Sequence, residues 1–255
     1  MPEATPVVGA PCWVDLFTSD TAKATEFYGT LLGWEAQPAD PRFGGYFVFT
    51  KDGAPVAGCM HNDGSYGMPD TWTTYLMTPD IEAVAERTAA NGGTVQIPPM
   101  VVAENGSMAV VADPGQGRIG VWQPNEMTGF KVIGEPGSPF WFELNTRDYD
   151  ASVAFYRDVF GWDVNSQSDA PGQRYAMLGQ GYEARAGIAE ATASLPEGEP
   201  ASWSIYFGVD NINEAVAQVQ ALGGTVVSAP EQNPFGWQAS VTDSTGSPVR
   251  LASQK

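Results

Sequence analysis

The chain has 255 residues, 43% hydrophobic and 11% aromatic, with 12 basic against 30 acidic side chains and a formal net charge of −18. That length can bury a sizeable core, and no apolar run reaches the roughly 18 residues a membrane-spanning helix needs. A surface of this sign repels phosphate backbones and anionic lipid, which argues against nucleic-acid and membrane partners.

Residues 1–10 contain no basic side chain and no apolar h-region, so no secretory signal is expected and the cytoplasm is the expected compartment. Cys12 and Cys59 show no CxxC spacing and sit in apolar segments. They read as reduced, buried thiols rather than metal ligands or nucleophiles.

In chain order, the first predicted strand carries Trp13, Val14, Asp15, Leu16, Phe17 and Thr18. A helix over residues 21–32 follows, because Ala24, Phe27, Tyr28 and Leu31 recur at helical spacing. Asp20 or Thr21 suits its N-cap, and Gly33 suits the left-handed residue that ends it. Strands are predicted near 35–37, 46–51 and 56–60, then a polar linker over 61–70. A second unit opens with Trp72-Thr73-Thr74-Tyr75-Leu76, continues with a helix over 81–91 and Gly92, and closes with strands near 94–97, 107–112 and 119–123. Residues 126–139, with Gly129, Gly134, Pro136, Gly137 and Pro139, form a break.

The pattern then repeats. Trp141-Phe142-Glu143-Leu144-Asn145-Thr146 follows the first strand at an offset of 128, and Phe155-Tyr156 and Gly161-Trp162 follow Phe27-Tyr28 and Gly33-Trp34 at the same offset. Gly223-Gly224-Thr225-Val226 follows Gly92-Gly93-Thr94-Val95 at 131, the loops having grown. Helices are predicted over 151–160, with Asp148 or Asp150 as N-cap, and over 212–222 before Gly223. A strand opens at Trp203 after a linker over 190–200. The chain is therefore read as α+β: four βαβββ modules, about 11–61, 70–124, 139–190 and 201–253, each beginning with a tryptophan, in two domains, 1–130 and 131–255.

With FYGTLLGW at 27–34 and DPGQGRIGVW at 113–122, this pattern resembles the vicinal oxygen chelate superfamily of glyoxalase I, bleomycin-resistance proteins, fosfomycin-resistance enzymes and extradiol dioxygenases. Nearest in appearance are tandem actinobacterial members often labelled hydroxylases. The resemblance implies two glyoxalase-like domains with cupped mixed sheets, helices on the convex side and a ligand on the concave face. In metal-dependent members, first-strand and last-strand residues converge on one divalent ion. The corresponding first-strand positions here are Trp13, Trp72, Trp141 and Trp203, and an indole nitrogen only donates. The last-strand positions are Gly120 and Arg250.

Composition points the same way. His61 is the only histidine, in what reads as a solvated loop, so neither a three-histidine zinc site nor a two-histidine, one-carboxylate iron site can be built within one chain. An all-carboxylate Mg²⁺ or Ca²⁺ site remains arithmetically open, although no EF-hand loop is present. No GxGxxG fingerprint opens a helix, and the expectation is no metal and no cofactor.

Strand alternation sends Trp13, Asp15 and Phe17 to the concave face, with Trp141, Glu143 and Asn145, Gly120 and Trp122, and Arg250 and Ala252. Trp13, Phe17, Trp72, Gly120, Trp122, Trp141, Asn145 and Trp203 are the candidate ligand-binding residues, since indoles stack on planar ligands. Asp15, Glu143 and Arg250 are the candidate catalytic residues. If modules pair within a half, Arg250 meets Glu143 and lowers its pKa, whereas Asp15 stands unpaired beside the space left by Gly120, with a raised pKa. That places the working pocket in the N-terminal half. The rival reading makes both acids ordinary hydrogen-bonded strand residues and the indoles core filler.

Two functions follow, with a third held open. One is a metal-independent carrier that binds a hydrophobic, planar aromatic small molecule for sequestration, resistance or biosynthesis. The other is a metal-independent acid/base enzyme, an isomerase, cyclase, hydratase or lyase acting on such a molecule. The third is an accessory protein with closed pockets. The chain is expected to be a monomer or homodimer.

Overall fold

The computed structural model describes residues 7–254 and contains four βαβββ units in sequence. The first comprises β1 (Pro11–Thr18), α1 (Thr21–Leu32), β2 (Glu35–Ala36), β3 (Phe47–Lys51) and β4 (Ala54–His61). The second comprises β5 (Thr71–Met77), α2 (Ile81–Ala90), β6 (Thr94–Val102), β7 (Gly106–Ala112) and β8 (Arg118–Pro124). The third has β9 (Pro139–Thr146), α3 (Tyr149–Phe160), β10 (Val164–Ser168), β11 (Tyr175–Leu178) and β12 (Ala186–Glu190). The fourth has β13 (Ser202–Gly208), α4 (Ile212–Ala221), β14 (Thr225–Asn233), β15 (Gly236–Thr242) and β16 (Pro248–Ser253).

Local chemistry sets the helix ends. Asp20 accepts from the backbone N–H of Lys23 at 3.0 Å, and Gly33 at φ +72° ends α1 in the left-handed region. Ala24, Phe27, Tyr28 and Leu32 form the buried stripe between those caps. Asp148 stands at the α3 N-cap without a side-chain cap bond, and Thr146 Oγ1 accepts from its backbone N–H at 3.1 Å instead. The β6 strand runs five residues beyond the predicted 94–97, through Pro98 and Pro99. A sheet-edge strand tolerates prolines because part of its N–H row needs no partner.

Modules pair within each half. The first sheet runs β2-β3-β4-β1-β5-β8-β7-β6 and the second β10-β11-β12-β9-β13-β16-β15-β14. Within each, two module-opening strands lie antiparallel at the centre, β1 with β5 and β9 with β13, each flanked by its module's last strand in parallel. The helix-bearing faces of the two sheets turn toward each other, with α1 beside α4, α2 beside α3, and β5 against β13. One continuous apolar core, including Leu16, Phe27, Tyr28, Leu144, Phe155 and Phe207, fills the space between them. The concave faces therefore point outward, one on each side.

Candidate functional site

Asp15 sits at the centre of the first hollow. The register pairs Asp15 with Gly58 on β4 and Thr73 on β5, and Tyr75 with Gly120 on β8. Tyr46 donates to Asp15 Oδ1 at 2.8 Å, and Trp13 Nε1 divides its proton between the same oxygen at 2.9 Å and the Tyr46 hydroxyl at 3.0 Å. Tyr75 faces the same carboxyl and favours its charged form. Gly58 makes this possible, since a Cβ there would collide with the Tyr46 hydroxyl and Asp15 Oδ1. Desolvation pushes the Asp15 carboxyl above its usual range, against the opposing pull of hydrogen bonds from Tyr46, Tyr75 and Trp13. Tyr46 and Tyr75 are pushed up as well, first by burial and then by the neighbouring carboxylate. Half-buried Phe17 meets Tyr66, 75% exposed on the linker after β4, at the rim with ring centroids 6.3 Å apart.

The second hollow repeats the scaffold with different charges. Trp141 Nε1 donates to Tyr175 at 3.0 Å, Tyr175 to Glu143 Oε2 at 3.1 Å, and Tyr206 to Glu143 Oε1 at 3.0 Å. Arg250 Nη1 lies 2.7 Å from the Tyr206 hydroxyl and 3.6 Å from Glu143 Oε1, with its guanidinium over the Tyr206 ring. Asn145 donates to Ser204 Oγ at 3.3 Å beside this network. Two clefts lie at the seam between the halves, away from both acids, one lined by Leu31, Lys51, Gly137 and Glu214, the other by Gln116, Arg147, Asp148 and Glu199.

Three expected site residues are elsewhere or do something else. Trp72 pairs with Leu16 and Trp203 with Leu144, so both indoles point to the helix-packed face. Trp72 Nε1 donates to Tyr28 and Trp203 Nε1 to Tyr156, each at 2.9 Å. The reason is a one-residue slip: the helix N-caps Asp20 and Asp80 lie 60 positions apart, whereas Trp13 and Trp72 lie 59 apart. In the second half the N-caps Asp148 and Asn211 lie 63 apart and the tryptophans 62. A shift of one exchanges the faces of a strand. The third is Gly120, which leaves no open space, because the Tyr75 ring lies where its side chain would begin. Trp122 stays with Gly120 on the concave side, buried, its indole N–H held by Met127 O at 2.8 Å.

The four tyrosines that hold the acids were not among the sequence candidates. Caps rather than tryptophans give the correct phase, under which Tyr75 occupies in β5 the place of Asp15 in β1, and Tyr206 that of Glu143. The inward positions where the central strands meet are Asp15, Gly58, Tyr75 and Gly120 in one hollow, and Glu143, Gly187, Tyr206 and Arg250 in the other. Each offers one carboxylate ringed by hydrogen-bond donors, the second with a cation beside it. Among the described residues no three His, Cys, Asp or Glu side chains converge. This donor set does not fit a divalent ion.

Two back-to-back cupped sheets, each assembled from a pair of βαβββ units around a concave polar centre, define a tandem glyoxalase-like protein. The chain belongs to the Glyoxalase/Bleomycin resistance protein/Dioxygenase superfamily, whose family model matches residues 12–121 and again 138–251. CFP32 of Mycobacterium tuberculosis, which carries a provisional glyoxylase name, is 35% identical over 230 residues, covering 89% of this chain and 87% of its own. The anthracycline biosynthesis protein DnrV of Streptomyces peucetius is 33% identical over 252 residues, covering 93% and 90%. In fold, the chain is similar to the Mn(II)-bound glyoxalase of Novosphingobium aromaticivorans, with a TM-score of 0.67 at 17% identity over 97% of this chain and 82% of that one. It is equally similar to the 2,3-dioxygenase LapB of Pseudomonas sp. KL28, with a TM-score of 0.67 at 14% identity over 98% and 93%.

Proposed function

We propose that this chain is a metal-independent member of the superfamily that binds a planar aromatic small molecule in its N-terminal hollow. The observation that carries this reading is the Asp15 carboxyl, desolvated among Trp13, Tyr46 and Tyr75 beneath the rim rings of Phe17 and Tyr66. A carboxyl held toward its neutral form can donate to a carbonyl or quinone oxygen, while flat rings stack on the ligand's faces. The second hollow is the poorer host, since there the Arg250 guanidinium already pairs with the carboxylate, whereas Asp15 has no cation beside it. The relatives named for anthracycline biosynthesis support a fused-ring ligand, because anthracyclines carry planar aromatic rings. A biosynthetic or resistance role follows, in a cytoplasmic monomer or homodimer. Among the described residues, no helix is long and apolar enough to cross a membrane.

The raised pKa of Asp15 favours a second reading, a metal-independent acid/base enzyme acting on the same ligand. Titration of tryptophan emission with a panel of hydroxylated anthraquinones tests binding, and Asp15→Asn separates the two readings. Quenching that persists in the variant while turnover of a panel member disappears identifies the enzyme. Quenching by both forms with no turnover in either identifies the carrier. No quenching by any member overturns the aromatic-ligand reading.

A further inference from the structure

Arg118 opens β8, where Ile119 and Val121 are fully buried on the helix face. Alternation therefore places Arg118 on the concave side with Gly120 and Trp122. The parallel β5–β8 ladder begins at Tyr75 and Gly120, so Arg118 stands two residues before it on β8 as Thr73 does on β5, and Thr73 pairs with Asp15. Asp15, Thr73 and Arg118 thus stand on one face at the same end of three adjacent strands, with Asp15 and Arg118 at least about 10 Å apart at the backbone. Polar groups of opposite kind face the same floor.

Among the described residues, Arg118 is the arginine without an oxygen partner. Arg42, Arg157, Arg174 and Arg250 pair with carboxylates, and Arg87, Arg147 and Arg185 donate to backbone carbonyls. Arg118 Nη1 meets only Met68 Sδ at 2.8 Å, a weak acceptor, and its buried Nε has no partner at all. Among the described residues no carboxylate pairs with this cation. Desolvation weighs against its charged form, against a smaller opposing pull from Tyr75, so the folded protein carries the cost of a partly buried guanidinium whose one hydrogen bond goes to a thioether. Met68 belongs to the same linker as Tyr66, which places the guanidinium close to the aromatic rim. In the other half Pro248 opens β16 at the corresponding position, so this cation is particular to the N-terminal hollow.

We propose that Arg118 is the anion-binding residue of the N-terminal hollow, and that the aromatic ligand presents a carboxylate or comparable anionic oxygen to it. This rests on the aromatic-ligand reading above and narrows it to an acidic aromatic compound. The Arg118 fork would hold the anionic oxygen at one end, with the Asp15 carboxyl meeting a neutral oxygen at the other.

Two probes of one shape test it: anthraquinone-2-carboxylate and anthraquinone-2-carboxamide, titrated by tryptophan quenching and by calorimetry. The carboxylate is expected to bind the wild-type chain about tenfold or more tighter than the amide, the ratio a charge-assisted hydrogen bond supplies. Arg118→Gln should remove that preference and leave amide affinity within about twofold, while Arg118→Lys, which keeps the charge and loses the fork, should fall between. Equal binding of both probes by the wild type overturns the role of Arg118 and leaves the aromatic-ligand reading standing. A variant that weakens both probes alike overturns it too. Absence of binding by either probe overturns both together.

Discussion

Tyr28 of α1 donates its hydroxyl proton across the molecule to Asp243 Oδ2 at 2.8 Å, while accepting from Trp72 Nε1 at 2.9 Å. The reverse crossing is built from Tyr156, which donates to Asp113 Oδ2 at 3.3 Å and accepts from Trp203. Each aspartate belongs to the turn before the last strand of one half, and each tyrosine to the first helix of the other. Asp243 Oδ1 also accepts from the N–H groups of Thr245 and Ser247 at 2.8 and 3.0 Å, so one side chain closes its own turn and locks the halves. The FY pair after each helix start is thereby a device for joining the duplicated halves, separate from either hollow.

Tyr28→Phe should therefore be costly despite the loss of a single oxygen. It leaves Asp243 Oδ2 and the Trp72 N–H buried without their partner. The expected destabilisation is about 1–3 kcal/mol, read from urea unfolding, with ligand affinity in the N-terminal hollow unchanged. A loss below about 0.5 kcal/mol would mean that the halves do not depend on this crossing.

Asp113 gives the lock a pH dependence. Burial raises its carboxyl to about 6, above the usual carboxylate range, against the hydrogen bonds from Gly117 N–H and Tyr156. A raised folded-state pKa means that folding takes up a proton. The contribution is complete below about pH 4 and is lost as pH rises through about 6. Comparing wild type with Asp113→Asn in urea at about pH 4.5 and 7.5 should show the wild type losing about 1–3 kcal/mol relative to the variant over that interval. A difference that stays flat across the window would show that Asp113 is not protonated in the folded state.

Most of the fold could be read before any coordinates, because a duplicated sequence displays each module twice and its caps four times. The face assignments were harder. Trp72 and Trp203 look like the partners of Trp13 and Trp141, and only the distance to the helix N-cap shows that they are one residue out of phase. Side-chain repetition records common descent, whereas the backbone obeys the strand period, and the two disagree by one. The tyrosines around Asp15 were invisible for a different reason. Tyr46 reaches the acid across a bare backbone at Gly58, a contact set by the β3–β4 hairpin register rather than by any motif. Arg118 was legible only as part of DPGQGRIGVW, and nothing in the sequence shows that it lacks an acid.

Arg250 and Glu143 allow the two hollows to be told apart. Arg250 is 29% and Glu143 13% exposed at the side chain, and their 3.6 Å pair is joined by the Tyr206 hydroxyl. Removing the cation leaves the mostly buried Glu143 with its tyrosine donors alone, so Arg250→Met should destabilise the fold by about 1–3 kcal/mol, as measured in urea. It should leave anthraquinone quenching intact. If quenching is lost in Arg250→Met and kept in Asp15→Asn, the ligand occupies the C-terminal hollow.

Gly58→Ala is the sharpest probe of the Asp15 arrangement. The backbone there needs no left-handed conformation, so alanine carries no intrinsic strain, and the nearest obstacles are the Tyr46 ring and hydroxyl and Asp15 Oδ1. To admit one methyl group, the tyrosine must swing away from the carboxyl, which breaks the 2.8 Å bond and frees the Trp13 indole from its shared acceptor. The cost should be about 1–3 kcal/mol in urea, the range for an overfilled site. Losing a donor also removes a lowering influence on Asp15, so its carboxyl should titrate still higher, followed by NMR of the carboxyl carbon in the variant. Quenching by anthraquinones should weaken in parallel. A Gly58→Ala chain with wild-type stability and unchanged titration would mean that Tyr46 does not hold Asp15 in solution.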